Sequence, residues 1–215
     1  MLTLDRISSF VKSYIHDDDG ALGELYNKAI EDKVPVIRPE TRELIKTQLL
    51  ISKPLNVLEV GTAVGYSSLY MSNYISEDAH ITTIELDDER YNMAVANIDR
   101  LGKSSVIDVI KGDAAEVLKT LPDDAYDFAF VDAAKGQYIY YLPDVLRVVK
   151  TGGLIVSDNV LQDGEVLESH FVVEKRNRTI HDRMREYLYT LNNDERLETA
   201  ILSVGDGVAL SVVRK

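Results

Sequence analysis

Three oxygen donors stand out in this sequence. Asp132 closes the apolar run FAFVD, and Asp158-Asn159 closes LIVSD. Two carboxylates and an amide oxygen suit a hard divalent cation such as Mg²⁺, with water or substrate completing the coordination. A softer metal would want His or Cys, and neither is placed there. Taken alone, Asp158 and Asn159 could equally cap a helix. Lys135 follows three residues after Asp132, in Asp132-Ala133-Ala134-Lys135-Gly136-Gln137-Tyr138. A lysine beside a bound dication is destabilised as a cation and could act as general base, although most loop lysines are merely solvated.

A second group of residues reads as a ligand cradle. Residues 59–68 are EVGTAVGYSS. A glycine-rich turn that leaves a buried strand and opens a helix lets the backbone approach a ligand and aims free N–H groups at it. The spacing here, Gly61 to Gly65, is G-x-x-x-G and not the G-x-G-x-x-G of dinucleotide binders. Glu59, just before the turn, suits a ligand with a positive amino group better than a pyrophosphate. Glu85 lies 24 residues after Gly61 at the end of the next apolar run, where a carboxylate can accept both ribose hydroxyls. Asp113-Ala114 follows the third run, and a carboxylate there could meet an adenine amino group. Read singly, the turn could bind nothing and Glu85 could be solvated.

These residues need a scaffold that brings strand ends together. Strands are expected at 56–60, 81–86, 106–111, 128–132 and 154–158, with helices near 66–76, 88–101, 114–120 and 137–149. Several of the strand runs are apolar throughout, as parallel strands covered on both faces are. The alternation predicts a doubly wound α/β sheet. Two further β-rich runs, 199–204 and 208–213, flank Gly205-Asp206-Gly207 and predict a closing antiparallel hairpin. A helix is expected over roughly 170–193, and three more over 2–15, 20–32 and 40–51. The organisation read is one domain, residues 1–215, with a helical extension (1–52) before an α/β core (53–215).

Composition is consistent with that plan. The chain has 215 residues, 45% of them hydrophobic and 28% charged, enough to bury a full core without staples. It has no cysteine, which excludes disulfides, thiol nucleophiles and thiolate metal sites. No apolar run reaches the length of a membrane span, and residues 1–19 do not read as a signal peptide. A soluble cytoplasmic protein with no membrane partner is expected.

In that order and spacing, LEVGTAVGYSS, ITTIELD, GDA, FVDAAKGQY and GGLIVSDNVL resemble the metal-dependent class I O-methyltransferases that use S-adenosylmethionine. The group includes catechol and caffeoyl-CoA methyltransferases, and the resemblance covers essentially the whole chain. It implies a seven-stranded, Rossmann-like methyltransferase sheet. It also implies that Ile37, Glu59, Gly61, Ser67, Glu85, Asp113, Ala114 and Asp132 surround S-adenosylmethionine, and that Asp132, Asp158 and Asn159 hold Mg²⁺. Lys135 matches the family's active-site lysine, and a homodimer is implied on the same ground. Ala133-Ala134 departs from the catechol enzymes, which carry His-Trp there. VPVIRPE and VGDGVALS are closer to bacterial tRNA 5-hydroxyuridine methyltransferases, which make wobble 5-methoxyuridine.

The acceptor is therefore open between tRNA, the expected reading, and a small catechol-like or caffeoyl-CoA-like molecule. Catechol and 5-hydroxyuracil both present two vicinal oxygens to a metal. Lys175, Arg176, Arg178, Arg183 and Arg185 form a basic run that could meet tRNA phosphates, with Arg38 and Arg42 as further candidates. The same run could be a solvated helix face, and a formal net charge of −12 weighs against nucleic acid.

Overall fold

The computed structural model describes residues 4–214. Three helices come first, α1 (Leu4–Lys12), α2 (Gly20–Glu31) and α3 (Pro39–Ser52). Residues 2 and 3 of the first expected helix lie outside the described residues. The core then alternates β1 (Asn56–Val60), α4 (Tyr66–Met71), β2 (His80–Glu85), α5 (Asp88–Arg100), β3 (Ile107–Lys111), α6 (Ala114–Thr120), β4 (Tyr126–Val131), α7 (Tyr138–Val148) and β5 (Val149–Ser157). It ends with α8 (Arg178–Asn193), β6 (Leu197–Leu202) and β7 (Val208–Val213).

The seven strands form one sheet in the order β3-β2-β1-β4-β5-β7-β6. The first five are parallel, and β7 runs antiparallel against both β5 and β6. Successive residues of a strand point to opposite faces, so each central strand feeds two cores. Leu58, Val60, Ala129 and Val131 pack with Leu118 of α6, Leu142 of α7 and Met184 of α8. Val57, Phe128 and Phe130 pack with Leu25 of α2, Ile45 of α3, Leu69 of α4 and Ile98 of α5. Helices therefore cover both faces, as the apolar strand runs predict. Emptying one such position, for example Phe130→Ala, would cost about 3–5 kcal/mol.

Most expected boundaries hold or shift by one to three residues, as α1 ends at Lys12 and β6 spans Leu197–Leu202, and three differ by more. β5 begins at Val149, not Leu154, and carries Gly152-Gly153 inside it. Its pairing with β4 shifts register between Tyr126 and Phe128, so the glycines mark a bulge within the strand and not its start. α4 stops at Met71. α8 starts at Arg178, because residues 170–177 are turns held by the Arg178 guanidinium, which donates to the carbonyls of Val173 (3.1 Å) and Phe171 (3.3 Å). Among the described residues no helix is long and apolar enough to cross a membrane.

Candidate active site

A cavity of about 810 Å³ opens at the carboxyl ends of the parallel strands. It lies where the strand order reverses, between β1 and β4, which is where open α/β sheets bind ligands. The pairing continues one residue past each strand. Gly61 N–H donates to Ile84 (3.1 Å), Asp132 N–H to Val60 (2.9 Å) and Asp158 N–H to Val131 (3.0 Å). Asp113, Glu85, Gly61, Asp132 and Asp158 thus stand in a row set by the order β3-β2-β1-β4-β5.

On the β1–β3 side the backbone does the positioning. Gly61 has φ +104, and a Cβ there would overlap the Asp132 carbonyl, so only glycine lets the two strand ends come this close. Glu85 accepts from Ala63 N–H (2.8 Å) and from Asp87 N–H (2.9 Å), one at each oxygen. Its carboxylate is fixed, and each oxygen retains a lone pair toward the cavity. Asp113 caps α6 by accepting from Ala115 N–H (2.9 Å), so the capping role and a ligand role coexist in one side chain. Ile37, Ser67, Glu85, Asp113 and Ala114 all line the cavity.

Glu59 is placed differently. It is fully buried beneath the turn and is not part of the cavity wall. Ser68 and Thr83 donate to its Oε2, while Oε1 has no partner. Burial pushes its carboxyl up to about 7, with Glu85 adding to the rise and the Ser67, Ser68 and Thr83 hydroxyls opposing it.

On the β4–β5 side, Asp132 and Asp158 follow the registered pair Val131–Ser157. Asp158 Oδ1 accepts from Asn159 N–H (2.8 Å) and from the Thr41 hydroxyl (3.3 Å), whereas its buried Oδ2 has no partner. Both carboxyls lie above the usual carboxylate range. For Asp132 the first cause is burial, then the nearby Asp158 and Glu59 charges, opposed by Lys135. For Asp158 burial again leads, opposed by hydrogen bonds from Asn159 and Thr41. A dication between them would offset the desolvation and the mutual repulsion together, and an orphaned carboxylate oxygen is a ready ligand atom. Asn159 takes a left-handed backbone (φ +58), which Asn tolerates better than most residues. The donor set therefore fits a hard cation.

Lys135 opens a 3₁₀ turn, Lys135–Gln137, and its Nζ donates to Asp206 Oδ2 at 3.1 Å. Asp206 was readable only as the middle of a hairpin turn. The structure folds that turn back onto the loop after β5, where Val160 N–H donates to Gly207 (3.0 Å) and Leu161 N–H to Asp206 (3.0 Å). Gly207, at φ +84, sits so close to Leu161 that a Cβ would collide with it. Asp206 is thereby buried, and its Oδ1 accepts from Asp163 N–H. Thr41 on Asp158 and Asp206 on Lys135 are the two site residues that sequence reasoning missed.

The basic run is mostly engaged within the chain. Arg183 donates to the Gly136 carbonyl (3.1 Å), Arg185 to Val166 (3.1 Å), and Arg178 to the two carbonyls named above. Arg176 pairs with Glu174 (2.8 Å) and Arg38 with Asp163 (2.6 Å). Arg42, expected as a surface cation, is buried and donates to Asp18, the Tyr66 hydroxyl and the His16 carbonyl. Lys175 and Arg176 stay exposed.

A parallel sheet closed by an antiparallel hairpin, with the cavity at the strand ends, defines the class I S-adenosylmethionine-dependent methyltransferases. Residues 14–215 match the O-methyltransferase family model, and the chain belongs to that family. It is 36% identical over 178 residues to the caffeoyl-CoA O-methyltransferase of Stellaria longipes, covering 79% of this chain and 73% of that one. It is 30% identical over 224 residues to the catechol O-methyltransferase of Niastella koreensis, covering 98% and 99%. A solved Staphylococcus aureus structure, assigned as a caffeoyl-CoA O-methyltransferase, superposes with a TM-score of 0.89 at 28% identity, over 96% of this chain and 99% of that one. This chain is an O-methyltransferase of the caffeoyl-CoA and catechol type.

Proposed function

We propose that the chain moves the methyl group of S-adenosylmethionine onto one of two adjacent oxygens of its acceptor, with a dication such as Mg²⁺ at Asp132, Asp158 and Asn159. The observation that carries this reading is the pair of raised carboxylates at neighbouring strand ends, Asp132 half-buried and Asp158 buried with an unpartnered oxygen. S-adenosylmethionine would supply an electrophilic sulfonium methyl, and the dication a charge that lowers the pKa of an acceptor hydroxyl. Glu85 would take the ribose hydroxyls, Asp113 and Ala114 the adenine, and Ile37, Gly61, Ser67 and Asp132 the remaining surface. Glu59, with Oε1 unpartnered, would balance the cofactor's ammonium from below. Lys135 in its neutral form would accept the hydroxyl proton as the acceptor oxygen attacks in line, and Asp206 would hold it in place. A homodimer belongs to the same proposal.

For the acceptor, a small catechol-like or caffeoyl-CoA-like molecule is the better supported reading. Relatives named for those substrates align over most of the chain, and most of the arginines that tRNA would need already hold partners. A second reading, wobble 5-hydroxyuridine in tRNA, is favoured by one observation. The exposed Ala134 leaves the wall beside Lys135 open, with Phe171, Lys175 and Arg176 exposed elsewhere. The test offers the protein a 3,4-dihydroxy aromatic and, separately, tRNA containing 5-hydroxyuridine, and reads methyl transfer by mass spectrometry. Turnover of the aromatic is the expected result. Turnover of tRNA alone would overturn the small-molecule reading, and turnover of neither would overturn both.

A further inference from the structure

A second cluster lies apart from the methyl-transfer residues. His170 sits in the turns before α8, and His181 and Asp182 are in its first turns. Asp182 Oδ1 lies 2.8 Å from His170 Nδ1 and 3.0 Å from His181 Nδ1, and the three donor atoms fall within 4.8 Å of one another. His181 is buried, and its Nε2 stands 3.1 Å from the Glu168 carbonyl oxygen. A carbonyl can only accept, so Nε2 carries the proton there. In a neutral ring Nδ1 is then a lone pair facing a carboxylate oxygen, which is also an acceptor. Two acceptors at that distance need a cation between them. One proton on His181 would serve that pair, but His170 brings a second imidazole nitrogen to the same oxygen.

We propose that His170 Nδ1, His181 Nδ1 and Asp182 Oδ1 form a binding site for a borderline divalent metal ion, with Zn²⁺ as its representative. Two imidazoles and one carboxylate with an open fourth position are an ordinary zinc ligand set. The anchoring of His181 Nε2 on a backbone carbonyl is how metal-bound imidazoles are usually oriented. Zinc bonds of about 2.0–2.1 Å put tetrahedral ligands roughly 3.3 Å apart, so Asp182 Oδ1 must move only a few tenths of an ångström from each nitrogen, and the two imidazole nitrogens already lie within 4.8 Å of each other. His170 is half-buried and Asp182 exposed, which leaves both room for that adjustment. The ion would fasten the turns at 168–177 to α8. The next residue, Arg183, holds the Gly136 carbonyl of the turn that carries Lys135, so the fastening reaches the wall of the acceptor site. This site prefers nitrogen ligands and a softer ion, which separates it from the all-oxygen site at Asp132, Asp158 and Asn159.

The test dialyses the metal-free full chain against Zn²⁺ with Mg²⁺ in large excess to occupy the oxygen site, then measures zinc bound per chain. His170→Gln and Asp182→Asn change a half-buried and an exposed side chain and should each bind Zn²⁺ roughly 100-fold more weakly or not at all. Zn²⁺ should raise the melting temperature of the unaltered chain and leave that of both variants where it was. Co²⁺ offered in place of Zn²⁺ should give visible absorption that His170→Gln loses. Equal zinc content and identical cobalt spectra in the unaltered chain and His170→Gln would overturn the proposal, leaving a protonated histidine against a carboxylate.

Discussion

The two sides of the cavity are assembled by different means. On the β1–β3 side each polar residue stands at or just past the end of its own strand, and backbone N–H groups of adjacent turns fix it, as Ala63 after β1 and Asp87 after β2 fix Glu85. On the β4–β5 side the pieces come from four distant stretches, Thr41 in α3, Asp132 to Lys135, Asp158-Asn159 and Asp206 in the hairpin. The first side is set by strand ends and the turns that follow them, the second by long-range packing around carboxyls that burial raises above the usual carboxylate range. Substitutions on the two sides should therefore fail differently, cofactor binding on one and turnover on the other.

The largest separation should come from Asp158→Ala. Methyl transfer should fall by about 10³-fold, the several kcal/mol a bound dication contributes, while S-adenosylhomocysteine affinity by calorimetry stays within about twofold. A matching loss of affinity would mean that the two sides are not separate. Glu85→Ala should give the mirror image. Cofactor affinity should drop roughly 10–150-fold, the 1.5–3 kcal/mol of hydrogen bonds to a charged group, with kcat at saturating cofactor nearly preserved.

Asp206→Asn probes a residue that acts through another. Losing the ion pair to Lys135 should lower kcat about tenfold, move the ascending, acid-side limb of the pH–rate profile to lower pH and spare KM for the cofactor, and Asp206→Glu should restore part of the rate. A purely structural role would lower stability and leave the pH profile in place. The smallest effect is on stability. Burial raises Glu59 from its ordinary 4.5 to about 7, so the folded chain holds a proton that the unfolded chain releases. That contribution is complete below about pH 4.5 and is lost as pH rises through 7. Glu59→Gln should leave melting at pH 5 nearly unchanged and raise it at pH 8 by the equivalent of roughly 1–3 kcal/mol in the ligand-free protein. Superimposable curves would contradict the described burial of Glu59.

The same contrast decides what could be read from the sequence. Strand runs such as FAFVD, and residues at a strand end such as Glu85 and Asp132, follow from hydrophobic pattern and sheet topology alone. Local signals misled where tertiary context overrode them. The Gly152-Gly153 pair reads as a strand start but is a bulge, and the arginines near 178 read as a free basic face but bind carbonyls. Thr41 and Asp206 left no trace, because a threonine inside a helix and an aspartate between two glycines have ordinary explanations. Their role exists only once α3 and the hairpin meet at the end of β5.

The central claim is that the β4–β5 side works as a dication site distinct from the cofactor cradle. The direct measurement strips the protein of metal and follows methyl transfer to a 3,4-dihydroxy aromatic while Mg²⁺ is titrated back, with cofactor affinity measured at both extremes. Turnover should vanish in excess EDTA and return saturably with Mg²⁺, at unchanged cofactor affinity. Full turnover in excess EDTA would contradict the account.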